Sequence, residues 1–170
     1  ILSLPFFLLS AAYILIRDGG PIFYKQRRIG HRGKPFMLYK LRTYDDRVND
    51  KGETEAISTK SGYILRKFRI NEIPQLINVL RGEMSLVGPR PDIVSEYEEY
   101  SQSISNYSAR LNCLPGVTGH AQVYYQYCRT REEFERRLEY DLYYIKNQSV
   151  LLYILTLLRT VTTVILGKGK

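Results

Sequence analysis

Apolar residues crowd the two ends of this chain, and charged residues fill the middle. Residues 1–16 carry no charge at all. That run is shorter than the roughly 20 residues a bilayer-spanning helix needs. It also contains Pro5, and the ring and missing N–H of proline bend a helix interior. The pattern predicts a helix that enters a membrane, kinks and returns to the same side; a helix buried in a protein core is the alternative. No basic stretch precedes the run and no small-residue cleavage site follows it, which argues against a signal peptide. Because the apolar run is already under way at Ile1, further sequence is expected upstream. At the other end, Leu151, Ile154, Leu155, Leu158, Val161 and Ile165 recur at helical spacing opposite Thr156, Arg159, Thr160 and Thr163. An amphipathic helix over 150–166, lying in the membrane interface, fits that pattern, and Arg159 makes it a poor spanning helix. A core helix docked on the domain is again the alternative.

Between these ends the period changes repeatedly. Arg17-Asp18-Gly19-Gly20-Pro21 closes the first apolar segment with charge and a turn. Residues 22–28 and 35–42 predict two short strands around Gly30-His31-Arg32-Gly33, a β-hairpin. The stretch 43–61 is polar and mixed in charge and predicts a mobile loop. From Gly62 the pattern turns helical. Asn71 is the candidate N-cap of a helix with Pro74 in its first turn, Ile73, Leu76, Ile77 and Leu80 on one face, and Gly82 as its stop. Residues 84–91 predict an irregular loop, 92–107 a weakly patterned helix, and 114–123 a second loop punctuated by Gly and Pro. Residues 132–146 predict an amphipathic helix with Phe134, Leu138, Leu142 and Ile145 on one side.

Composition narrows the partners. Among 170 residues, 25 Lys and Arg stand against 17 Asp and Glu, a formal charge of +8. That excess favours nucleic acid, a phosphorylated small molecule or an acidic membrane surface. Lys25, Arg27, Arg28, Arg32, Lys34, Lys40 and Arg42 fall in the predicted hairpin, directly after the apolar segment. There they mark the cytoplasmic side and would hold the protein against anionic phospholipid, and of them Lys25, Arg27, Arg28 and Arg32 serve membrane contact or the fold rather than catalysis. Tyr24, Phe36 and Tyr39, interleaved with those charges, would also suit a single-stranded nucleic-acid binder. Such a module has no need of two lipid-seeking ends, so no nucleic-acid partner is expected. Cys113 and Cys128 lack metal-ligand spacing and any CxxC context, and are read as reduced thiols.

The chemistry concentrates in 65–91. A helix starting near Asn71 would offer free N–H groups and a positive dipole end to a phosphate. Arg66, Lys67 and Arg69 precede it and could neutralise a diphosphate. Glu72 supplies a carboxylate able to ligate Mg²⁺, act as a base or attack phosphorus, and magnesium needs only one or two protein carboxylates when substrate phosphates complete its shell. Gly88-Pro89-Arg90-Pro91 fixes the backbone around Arg90, so that its guanidinium could meet a phosphate with little entropy loss.

Six segments in order carry a resemblance over nearly the whole chain: Gly20-Pro21; Phe23-Tyr24-Lys25-Gln26-Arg27-Arg28-Ile29-Gly30; Lys40-Leu41-Arg42-Thr43; Asn71-Glu72-Ile73-Pro74-Gln75-Leu76-Ile77-Asn78-Val79-Leu80; residues 84–91; and Pro115-Gly116-Val117-Thr118-Gly119 with Ala121-Gln122-Val123. Together they resemble the bacterial sugar transferase family, the monotopic phosphoglycosyl transferases. The resemblance implies transfer of a phosphosugar from a nucleotide sugar, usually a UDP-sugar, to polyprenyl phosphate, with release of the nucleoside monophosphate. It implies Mg²⁺, a covalent phosphosugar intermediate on the Asp of an Asp-Glu pair, and a seat on the cytoplasmic face of the bacterial inner membrane. Glycosyltransferases acting downstream are possible partners.

Under that resemblance Glu72 and Asn71 are the expected catalytic and metal-binding pair. Lys40, Arg42, Arg66, Lys67, Arg90, Gln122, Arg129 and Asp141 are the expected substrate contacts, with Asp141 equally open to a structural role. Asn71 stands where the family has Asp, and a neutral amide is a poor nucleophile. Three readings of it remain open: Glu72 has taken over as nucleophile, the residue is an engineered substrate trap, or the chain binds without turnover. Leu114 and His120 stand where Arg and Trp are common; as a lone loop histidine, His120 is expected at the surface. The fold class expected is α/β in the α+β sense, mostly helical with one hairpin and monotopic. Its parts are a re-entrant membrane helix (1–16), a cytoplasmic catalytic domain (17–149), and an interfacial amphipathic helix with a basic tail (150–170).

Overall fold

The first apolar run folds as α1 (Leu4–Asp18), which is unbroken along its length. Pro5 is the second of its described residues. The computed structural model describes residues 4–48, 54–125, 128 and 130–166. Among them no helix is long and apolar enough to cross a membrane. Helix predominates and the strands form three two-stranded sheets, not the single hairpin expected. The chain divides into two compact units, one built from 1–25, 39–74 and 164–170, the other from 26–38 and 75–163. The strands β1 (Phe23–Ile29) and β2 (Pro35–Leu41) form the predicted hairpin and pass through both.

The first unit packs α1 against the base of that hairpin. Ile14, Leu41 and Leu65 are buried together, with Phe7, Ile22 and Ile70 against them. The C-terminal end of α1 is clipped down by polar groups. Arg42 donates to the Asp18 carbonyl at 2.8 Å, a cation meeting the negative end of the helix, and the Ser61 hydroxyl donates to the Asp18 carboxylate. The predicted mobile loop is instead a second hairpin, β3 (Tyr44–Val48) and β4 (Thr54–Ser58), antiparallel with Tyr44 opposite Ser58 and Asp46 opposite Ala56. Its apolar content is low, so the order comes from the backbone ladder and from Arg66. That residue lies in α2 (Gly62–Lys67); it donates to the Thr43 carbonyl at 2.9 Å and the Ser58 hydroxyl at 2.7 Å, and covers the Tyr44 ring at 4.2 Å.

Asn71 does not cap a helix. Arg69 takes a left-handed conformation, with φ of 52°, and ends α2; a 3₁₀ turn over Ile70–Glu72 follows. The next helix, α3 (Gln75–Leu80), starts beyond Pro74 and is six residues long. Asn71 therefore presents no helix N-terminus to a phosphate. Gly82, with φ of +72°, does provide the expected stop.

In the second unit the expected irregular loop begins as a strand. β5 (Ser85–Val87) pairs in parallel with β6 (Gly116–Thr118), Ser85 opposite Gly116 and Val87 opposite Thr118. Around this pair Phe36, Leu38 and Met84 are buried with Val79 and Val117. Burial of Phe36 withdraws one of the three rings that a nucleic-acid surface would have used. A second cluster joins α4 (Val94–Ser103), the 3₁₀ turn Tyr107–Asn112 and α6 (Arg131–Lys146) through Ile104, Tyr107 and Leu138, with Phe134 and Leu142 packed on it as predicted. Between β6 and α6 lies the short helix α5 (His120–Tyr124). Thr130 and Glu133 close the N-terminus of α6 as a reciprocal capping box. The last element, α7 (Val150–Ile165), has Val150, Leu151, Leu158, Val161 and Ile165 exposed along its apolar face. Thr156, Thr160 and Thr163 on its polar side, and Thr162 within the apolar stripe, each donate to the carbonyl four residues back, and Arg159 lies over the Tyr124 ring at 4.2 Å.

Candidate active site

Glu72 is buried, 8% exposed, and its carboxylate lies between two cations. Lys40, at the end of β2, brings its Nζ to 3.4 Å from Oε1, and Arg69 brings a guanidinium nitrogen to 3.6 Å from Oε2. The left-handed turn at Arg69 leads into the 3₁₀ turn, so residues three apart meet there. The carboxylate is therefore approached by a positive charge at each oxygen. Asn71, also 8% exposed, is its neighbour in the same turn.

A metal here would have only hard oxygen donors from the protein, the Glu72 carboxylate and the Asn71 amide. Among the described residues no group of three or more His, Cys, Asp or Glu could hold a metal ion. Such a set fits magnesium carried largely by substrate phosphates, and does not fit an all-protein cage.

The other expected contacts divide by unit. In the first, Arg42 is engaged with the Asp18 carbonyl and with Asp45 at 2.8 Å, while Arg66 clasps the β3–β4 hairpin. Lys67 is half-buried, its ammonium 5.7 Å from the Phe68 ring. In the second, Arg90 is half-buried on the 88–92 turn. Gln122 is 6% exposed, and both atoms of its amide are buried without a hydrogen-bond partner among the described residues. Asp141 is 2% exposed and accepts from Arg110 at 2.8 Å; burial pushes its carboxyl above the ordinary range against the pull of Arg110. Arg129 lies outside the described residues. Cys113 and Cys128 are free thiols, both half-buried, and burial raises Cys113 to about 11.

His120 is not at the surface, as a loop histidine was expected to be, but 8% exposed among tyrosines. Its ring centre lies 4.4 Å from that of Tyr124, 5.3 Å from stacked Tyr143 and 6.1 Å from Tyr140. Burial, and then the charge of Arg159, lower its pKa below the usual 6.5. A folded His that takes a proton less readily than the unfolded one stabilises the fold above pH 6.5. That contribution is lost as pH falls through the lowered folded value. The melting temperature is therefore expected to drop between about pH 7 and pH 5, and to drop less in His120→Phe, as thermal melts across that range would measure.

The bacterial sugar transferase family matches residues 1–167. A UDP-N-acetylgalactosamine-undecaprenyl-phosphate N-acetylgalactosaminephosphotransferase of Aeromonas hydrophila is 35% identical across 97% of this chain and 40% of its own length. The uncharacterized sugar transferase EpsL of Bacillus subtilis (strain 168) is 39% identical across 95% of this chain and 79% of its own. A UDP-glucose:undecaprenyl-phosphate glucose-1-phosphate transferase of Escherichia coli (strain K12) is 41% identical across 82% of this chain and 32% of its own. The chain thus spans well under half of the first and third relatives and most of the second. With the match extending over all but its last few residues, the chain belongs to the bacterial sugar transferase family.

Proposed function

We propose that the chain transfers a phosphosugar from a nucleotide diphospho-sugar, a UDP-sugar, to polyprenyl phosphate of the undecaprenyl type, releasing the nucleoside monophosphate. This would be the first membrane step of bacterial glycan assembly, with the product passed to glycosyltransferases downstream. The relatives from Aeromonas and Escherichia are named for transfer from UDP-sugars to undecaprenyl phosphate, which supports both substrates. The observation that carries the reading is the buried Glu72 carboxylate between Lys40 and Arg69.

In this reading an oxygen of Glu72 attacks the sugar-bearing phosphorus, and the bond from that phosphorus to the bridging oxygen breaks, its electron pair leaving on the nucleoside monophosphate. Lys40 and Arg69 face the charge that builds up. A phosphate oxygen of polyprenyl phosphate then attacks the same phosphorus and frees the Glu72 carboxylate. Two displacements suit substrates that arrive from water and from lipid. Magnesium, when bound by Glu72 and Asn71, would neutralise charge on the diphosphate. Leu4, Phe6, Leu8 and Leu9 on α1 and the exposed apolar face of α7 support a seat in the cytoplasmic face of the inner membrane, with basic residues such as Lys25, Arg27 and Arg32 toward anionic phospholipid.

Asn71 favours a second reading, a chain that binds the nucleotide sugar without turnover. Nucleoside monophosphate release separates the two. The purified chain in lipid nanodiscs would be given Mg²⁺, undecaprenyl phosphate and a panel of UDP-sugars, beside Asn71→Asp. Release by the unaltered chain supports transfer through Glu72. Release by Asn71→Asp alone assigns the binding role to the natural residue. Release by neither, with UDP retained, leaves the transfer reading without support.

A further inference from the structure

The 88–92 turn is held at every carbonyl from its second residue to its last, all within the second unit. The Pro89 carbonyl accepts from the Gly116 N–H at 2.9 Å. The Arg90 carbonyl accepts from Arg110 at 2.9 Å, the Pro91 carbonyl from Arg28 at 3.0 Å, and the Asp92 carbonyl from the Ile29 N–H at 3.0 Å. At the start of the turn the Gly88 N–H donates to the Thr118 carbonyl at 2.9 Å. Pro89 and Pro91 each fix a φ angle in addition. Each carbonyl from Pro89 to Asp92 is thereby anchored.

The two side-chain holds are of unusual cost. Arg110 is 4% exposed and Arg28 is 8% exposed. Burying a guanidinium requires partners for its charge, and Arg110 has them in Asp92 and, at 2.8 Å, Asp141. Its guanidinium also donates to the Tyr107 hydroxyl at 2.7 Å, which in turn donates to Asp92 at 3.0 Å. A buried ion cluster of this sort stabilises a fold no better than apolar packing of equal volume. What apolar side chains cannot do is grip a backbone carbonyl from a fixed direction. Nor can lysine reproduce a planar fork that serves two carboxylates, a hydroxyl and a carbonyl together.

We propose that, given the function proposed above and the phosphate contact that the sequence leads one to expect of Arg90, Arg110 is a positioning residue: with Asp92 and Asp141 behind it and Arg28 beside it, it sets the backbone of the 88–92 turn so that Arg90 is presented to the substrate diphosphate in one orientation. Asp141 then supports nucleotide binding without touching the sugar.

Titration calorimetry of the whole chain in nanodiscs with UDP tests this through a double-mutant cycle. Arg90→Gln is expected to weaken UDP by about tenfold, and Arg110→Lys by a similar factor. The double variant is expected to be no weaker than Arg90→Gln alone, because a residue that acts only through Arg90 has nothing left to position. Phe134→Leu, which loosens the same unit away from the turn, serves as the stability control and should keep UDP affinity at a comparable loss of melting temperature. Unchanged affinity in Arg110→Lys, or a double variant weakened by the product of both losses, overturns the positioning role. Unchanged affinity in Arg90→Gln removes Arg90 from the substrate site, and the positioning role with it. Should Arg110→Lys fail to fold, Arg28→Lys loosens the neighbouring carbonyl and carries the same expectations against Arg90→Gln.

Discussion

Glu72→Gln is expected to lower nucleoside monophosphate release by at least about 1000-fold while leaving the fold intact. The amide keeps the size and one oxygen of the carboxylate, but it has no charge and is a far weaker nucleophile. Lys40 and Arg69 then face a neutral group. Both side chains are largely buried, 14% and 20% exposed, so removing the charge they face costs about 3 kcal/mol. Melting temperature should fall accordingly while the chain still folds. Single-turnover release measured beside a melt separates the two effects. Turnover within tenfold of the unaltered chain would remove Glu72 from the chemistry and leave the buried carboxylate as a partner for cations alone.

Gly116→Ala should have the largest effect on stability. A Cβ at Gly116 would collide with the backbone nitrogen and oxygen of Gly88 and the carbonyl oxygen of Thr118. None of these is the end of a flexible side chain, so relief requires the β5 and β6 backbones to separate. The Gly116 N–H also holds the Pro89 carbonyl, so separation would loosen the turn that carries Arg90. A loss of about 3 kcal/mol is expected, together with weakened UDP binding. Chemical denaturation reads the first and calorimetry the second; a stable variant would mean that the two strands yield more easily than their contacts imply.

How far the sequence revealed this arrangement depends on where order came from. Phe134, Leu138 and Leu142 are spaced so that one helix face must be apolar, and they pack as read. The same logic exposed the β1–β2 hairpin and the apolar stripe of α7. The β3–β4 hairpin has no such stripe, and Arg66, which reads as a phosphate ligand, is the clasp that completes it. β5 and β6 are three residues each, too short for an alternation to register. Their parallel pairing joins positions 31 apart, as Ser85 with Gly116. At the candidate site the sequence exposed Glu72 and its basic surroundings. It did not disclose that Arg69 turns left-handed and brings its guanidinium back to Glu72; the i, i+3 spacing of the two was the available signal. Arg110 gave no signal at all, since a single arginine in a polar stretch reads as solvated. Its burial depends on two acids, 18 residues before it and 31 after.

The hydroxyls along α7 alter what its polar face amounts to. Thr156, Thr160 and Thr163 all spend their donors on their own helix, at 2.8 to 3.0 Å, and Arg159 shields one side of its charge with the Tyr124 ring. A hydropathy sum that treats each threonine as a free hydroxyl therefore overstates how strongly this stripe holds on to water. Immersion in an oily phase would strip fewer unmet hydrogen bonds than the letters suggest, so the depth at which such a helix settles is set by internal bonding as much as by residue type.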